Sequence, residues 1–232
     1  MKSKRLGSEI IRLALPATIE NIFQTLVGFF DTLLIAQLGL VAVTAVGLAN
    51  TILNVYLAVF LAIGVGGTAL IARSLGAGQK EKARQYARQT QELSIAGGIV
   101  FGFISIFFGR WMLQAMGASG SALEDAQVFF YWVGGFSLLH ASMTSLGTIL
   151  RATGDTVTPM KVGIITNVTN VLLDYFLIFG FGSWDGLGIL GTALGTILAR
   201  LLGCYLLTRE VQKPELALSF QKSRLRKDYQ EL

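Results

Sequence analysis

Six long apolar segments, at about 13–38, 45–72, 93–116, 126–150, 159–181 and 188–208, constrain this chain more than any other feature. Each is long enough for a helix rising about 1.5 Å per residue to cross roughly 30 Å of hydrocarbon. Strands of a membrane barrel would run about ten residues with strict apolar–polar alternation. These runs show no such alternation. The predicted fold is all-α: a polytopic membrane bundle of six transmembrane helices within 1–208, followed at 209–232 by a charged stretch containing Pro214 that reads as a cytoplasmic tail or linker. Composition agrees. Charged residues make up 14% of the chain and hydrophobic ones 53%, against about 25% charged in a soluble domain. The 27 glycines lie largely within apolar runs, a habit of membrane helices.

The net charge of +5 does not point to nucleic acid, because the basic residues lie between apolar runs rather than on one face of a soluble module. Cys204 and His140 are the sole members of their types, which excludes an intrachain disulfide and a Cys/His zinc site. The basic start with Lys2, Lys4 and Arg5 resembles a signal peptide. The run that follows is too long and has no small-residue cleavage site, so it reads as a retained first span.

Lys and Arg are enriched in cytoplasmic loops of membrane proteins. Here they cluster before span 1, between spans 2 and 3 (Arg73, Lys80, Lys82, Arg84, Arg88), between spans 4 and 5 (Arg151, Lys161) and after span 6. The alternate loops, 39–44, 117–125 and 182–187, hold none. Both termini are therefore expected in the cytoplasm of a multi-pass protein of the cell membrane. The polar stretch 79–92, with Arg84 and Arg88 four apart, reads as a solvated extension of span 3 in preference to a lipid-headgroup site.

Acidic side chains inside spans are costly and mark function by default. Three occur: Glu20, Asp31 and Asp174. At 100° per residue, Glu20, Gln24 and Asp31 form one stripe on span 1, while Asn167, Asn170 and Asp174 share a face of span 5 and Thr192 and Thr196 a face of span 6. Asp31, Asp174 and Thr196 all fall about 10–12 Å below the external boundary, with Asn170 one turn deeper. Oxygen ligands gathered at one level suit a hard cation, and two neighbouring carboxylates equally suit a proton held between them. The set reads as a coupling-ion site for H⁺ or Na⁺. Asn and Thr also serve as helix-packing contacts, and Arg200 offers a neutralising partner for Asp174.

Glu20 lies nearer the cytoplasmic end, where it either reaches toward water or lines an inner vestibule. Pro16 removes a backbone hydrogen bond, so span 1 is expected to kink or begin there. His140 reads as a histidine bonded to a backbone carbonyl, and Gly64, Gly66 and Gly67 as sites of close packing or bending. No serine–histidine arrangement and no phosphate-binding loop is present, and no organic cofactor is expected.

Several segments in order resemble one transporter family. They are Leu13-Ala14-Leu15-Pro16 with Gln24 and Phe30-Asp31-Thr32, Ala72-Arg73 with Leu75-Gly76-Ala77-Gly78, Arg151-Ala152-Thr153-Gly154-Asp155 with Pro159, and Asn170 to Asp174 before Ile178-Phe179-Gly180. Together they are similar to the amino-terminal lobe of the multidrug and toxic compound extrusion (MATE) transporters. That resemblance implies a cation-coupled antiporter exporting small organic, often cationic, compounds by alternating access, and not an enzyme. It places the coupling roles on Asp31, on Asn170 and Asp174, and on Thr196 of span 6, with Thr192 one turn before it. It also implies a bend of helix 1 near Pro16 when the helix 1 aspartate is protonated; Gln24, Glu20 and Pro16 themselves read as substrate-pathway or gating residues. Family members have twelve spans in two lobes, so a second six-helix lobe is the expected partner and 209–232 the linker toward it. The alternatives are a lipid-linked sugar flippase, which would want basic groups facing the cavity, and an intramembrane enzyme using Asp31 and Asp174 as an aspartyl pair.

Overall fold

The computed structural model describes residues 2–182 and 184–213, with side chains from Leu15 onward except Ala17; the 214–232 part of the tail assignment lies outside the described residues. The helices are α1 (Lys2–Ala36), α2 (Leu40–Gly76), α3 (Lys80–Ala115), α4 (Gly120–Gly135), α5 (Ser137–Ala152), α6 (Val157–Phe179) and α7 (Ile189–Val211). Five are long and apolar enough to cross a membrane, or six if the bent α4–α5 pair is one span. The chain is a multi-pass, all-α membrane bundle. Two details depart from the sequence expectation. A two-stranded hairpin pairs Gly180–Phe181 with Trp184–Asp185 ahead of α7. Pro16 lies inside a helix that begins well before it, not at a helix start.

The expected continuous crossing at 126–150 is broken at Phe136, with 48° between its halves. Gly134 and Gly135 supply little helix propensity just before the break. The carbonyl oxygen of Gly135 is turned onto α3, and a Cβ at Gly102 would stand only 2.6 Å from it. The Ser137 hydroxyl donates to the carbonyl of Gly134, and the Leu139 amide bonds Phe136 O at 3.0 Å, so the backbone groups around the break are served locally.

Two apolar clusters hold the bundle. One gathers Ala45, Ala49, Phe60, Leu113, Phe129 and Phe130 between α2, α3 and α4. The other gathers Ile71, Ala87, Ile149, Leu150, Leu207 and Val211 where α2, α3, α5 and α7 meet near the basic end. Phe103, Phe107 and Phe108 are more than half exposed on the outer face of α3. Phe101 instead stacks on Tyr56 with 4.3 Å between ring centroids. His140 presents its ring edge-on to Phe60 at 6.1 Å. The 79–92 stretch is the first part of α3, continuous with the crossing, and its Arg84 and Arg88 pair with Glu81 and Glu92 along the helix.

In a membrane, helices associate through close packing of small residues, since lipid removes the hydrophobic drive between them. Gly64 and Gly67 serve this role, lying against Thr148 and Thr90. Gly98 is the sharpest case. A Cβ there would lie 2.5 Å from the Cα of Leu138, whereas at neighbouring Gly97 nothing comes nearer than 3.9 Å. Gly98→Ala is therefore expected to destabilise the bundle by about 1–3 kcal/mol through overpacking, and Gly97→Ala to leave it nearly unchanged; thermal melts of the two variants in detergent check this.

Candidate functional site: facing carboxylates above an inner cavity

Helices α1 and α6 lie side by side and run in the same direction. A Cβ on Gly163 of α6 would sit 3.4 Å from Oε1 of Glu20 on α1. From Glu20 to Asp31 and from Gly163 to Asp174 the two helices advance by the same number of residues, so Asp31 arrives level with Asp174. The Asp31 carboxylate acts electrostatically on Asp174, and the Asn170 amide stands beside it one turn below. Helix α7 returns antiparallel against α6, with Gly191 on Leu177 and Gly195 directly on the Asp174 carboxylate. Only glycine leaves room there.

Asp174 is 1% exposed and Asp31 half-buried. Among the described residues, Asp31 Oδ1, Asp174 Oδ1 and Asn170 Nδ2 are buried here without a hydrogen-bond partner, as is Thr192 Oγ1 on α7, one turn before Gly195. An unmet buried polar atom costs about 1–3 kcal/mol, so several at one place call for a ligand. Their chemistry fits a small cation or a proton: two carboxylates and a hydroxyl offer oxygen, while the Asn170 amide nitrogen is placed to donate. No group of three or more His, Cys, Asp or Glu side chains able to hold a metal occurs among the described residues. Two carboxylates are few for a divalent ion with its six to eight oxygens.

Thr192 is 3% exposed, one helical turn before Gly195. Thr196 is half-buried, and its hydroxyl is not among the orphaned atoms. Arg200 does not neutralise Asp174. None of the ion pairs among the described residues includes it, and its electrostatic neighbours are Cys204 and His140.

Toward the basic end lies a cavity of about 400 Å³ lined by Glu20, Asn21, Gln24, His140, Thr144 and Arg151, with Leu57, Leu61 and Met143 as apolar wall. Gln24 and Glu20 both line this cavity, and Pro16, one turn below Glu20, is buried. Glu20 is not free. One guanidinium nitrogen of Arg151, at the end of α5, donates to both of its oxygens at 2.8 and 2.6 Å. This tether joins the lower half of α1, which otherwise packs chiefly on α6, to the far side of the cavity. Sequence reasoning missed it, treating Arg151 as a loop charge, because no local pattern links residues 131 positions apart. It also missed Gly195, although the Gly191–Gly195 spacing is a visible small-residue motif.

The MatE family signature matches residues 16–176. The probable multidrug resistance protein NorM of Thermotoga maritima is 34% identical over 210 residues, covering 90% of this chain and 45% of that protein. An FAD transporter of Shewanella oneidensis is 27% identical, covering 99% of this chain and 52% of that protein. Among solved structures, the outward-facing conformation of a multidrug resistance MATE family transporter of the MOP superfamily superposes with a TM-score of 0.83 at 26% identity, over 93% of this chain and 48% of that one. The chain belongs to the MatE family, whose members are transporters and not enzymes. It spans about half the length of the curated relatives it matches.

Glu20 is 13% exposed and Arg151 32%, so their pair lies between the surface and fully buried cases. Glu20→Gln or Arg151→Gln alone is expected to cost about 1–3 kcal/mol by leaving one charge unmatched, and the double variant less than the sum; a double-mutant cycle on thermal unfolding measures the coupling.

Proposed function

We propose that this chain is the amino-terminal lobe of a cation-coupled efflux antiporter, in which H⁺ or Na⁺ and an organic, typically cationic, substrate bind to different conformations. The observation that carries this reading is the pair of neighbouring carboxylates, Asp31 and Asp174, each with one buried oxygen that makes no hydrogen bond among the described residues. Without a bound ion, their like charges oppose close packing of α1 on α6. A proton or Na⁺ between them removes that repulsion and draws the helices together, with Asn170 and Thr192 completing the set. Coupling then follows from differential affinity: an ion that prefers one arrangement and a substrate that prefers the other each release the other.

The inner cavity supports a cationic over a pyrophosphate-bearing substrate. Among the described residues Arg151 is the one Lys or Arg lining it, and Glu20 already engages that guanidinium. A flippase for lipid-linked sugars would need such a cation free. The charge distribution supports placing the basic end, with both termini, in the cytoplasm. A second six-helix lobe supplies the opposite wall of the pathway, in keeping with relatives of about twice this length.

The test uses the complete transporter in everted vesicles. Asp31→Asn and Asp174→Asn should each reduce ion-driven export of a fluorescent cation by tenfold or more while leaving membrane insertion intact. Thr192→Val should weaken ion-dependent thermal stabilisation more than Thr196→Val. Undiminished ion-coupled export by both aspartate variants would sink the assignment.

A further inference from the structure

The turn between α2 and α3 contains a second polar recess that the transport reading leaves without a role. Only Ala77, Gly78 and Gln79 join the helices, with Gly78 at φ +72°, so the two helix ends are held face to face. Leu70, Arg73, Ser74 and Ala77, at helical i, i+3, i+4 and i+7 spacing, form one wall. Gln79, Lys82 and Tyr86, at i, i+3 and i+7, form the other, around a cavity of about 320 Å³.

The charges in this region are sorted by geometry. Arg84 and Arg88 are committed to Glu81 and Glu92 on their own helix, at 3.4 and 2.8 Å. Arg73 and Lys82 make no ion pair among the described residues and line the same recess. Glu81, the one acidic residue in the first turn of α3, faces Arg84 instead. Ser74 also lines the recess, although only 6% of it is exposed. The amino-terminal end of α3 and the carboxyl-terminal end of α2 meet here with opposing dipoles, so the positive field of the recess comes from the Arg73 and Lys82 side chains.

We propose that this recess binds a phosphate-bearing anion. The Arg73 guanidinium and Lys82 ammonium hold the phosphate oxygens, the Ser74 hydroxyl and Gln79 amide donate to them, and Leu70 and Tyr86 pack the attached organic part. A fork of N–H donors beside a compact ammonium matches phosphate geometry and charge. Two sources share this chemistry: the headgroup of an anionic phospholipid, or a soluble phosphate. The inference is independent of the ion site and of the transported substrate.

The purified full chain tests it in two arms, titrated with phosphatidylglycerol in phosphatidylcholine nanodiscs and with inorganic phosphate at constant ionic strength. Saturable binding in either arm is expected and identifies the source. Arg73→Gln with Lys82→Gln should weaken it at least tenfold. Arg84→Gln with Arg88→Gln removes the same charge from the same region and should change it less than twofold. On the unaltered protein, the ligand should slow acetylation of Lys82 relative to Lys80, read by mass spectrometry, so the result does not depend on a variant folding. Equal weakening by both double variants, no saturable binding in either arm, or equal reactivity of the two lysines with ligand present would overturn the proposal.

Discussion

Two carboxylates held at one level between α1, α6 and α7 are the constraint around which this bundle is arranged. Charge inside a membrane protein is tolerated only where neighbours or a ligand answer it, and here the neighbours answer it incompletely. Gly195 lets α7 close on the Asp174 side chain, which shields that group from lipid without giving its Oδ1 a hydrogen bond. The packing conceals the charge but does not neutralise it. In the proposed mechanism, that unmet demand makes the α1–α6 contact responsive to an ion.

The rest of the structure divides into a firm part and a responsive one. Helices α2 to α5 interlock through glycines set against backbone and through two apolar clusters, and the break at Phe136 is locked by the approach of Gly102. Helix α1 is different. It presents Ile22, Phe29 and Leu26 outward, packs chiefly on α6, and is tied to the cavity's far side by Glu20 and Arg151. A helix attached mainly by one neighbour and one ion pair can shift without disturbing the core, which is what alternating access would ask of it.

Much of the site was legible in the sequence because helical periodicity and rise convert residue numbers into direction and depth. Asp31 and Asp174 could be put at one level, with Asn170 one turn deeper, before any coordinates, and an acidic residue in an apolar run carries its own signal. Depth along the helices selected Thr196, with Thr192 one turn before it on the same face, and a difference of one turn lies within the uncertainty of span ends. The unpaired Thr192 hydroxyl emerges only from the packing of α7. Arg151 was legible as a charge at a loop but not as the partner of Glu20, and Arg200 looked like a counter-charge to Asp174 until the fold turned it toward Cys204 and His140.

The sequence alone determined that this protein is a helical membrane bundle, which end of it is basic, and which buried groups must be accounted for. Those properties follow from hydrophobic length, charge placement and periodicity, all local along the chain. Only the tertiary structure decided which carboxylate is paired and which are left wanting a ligand, where a crossing breaks, and which cations line a recess together. Such outcomes depend on contacts between residues remote in sequence, whose energies are set by distance and exclusion of solvent and have no local signature.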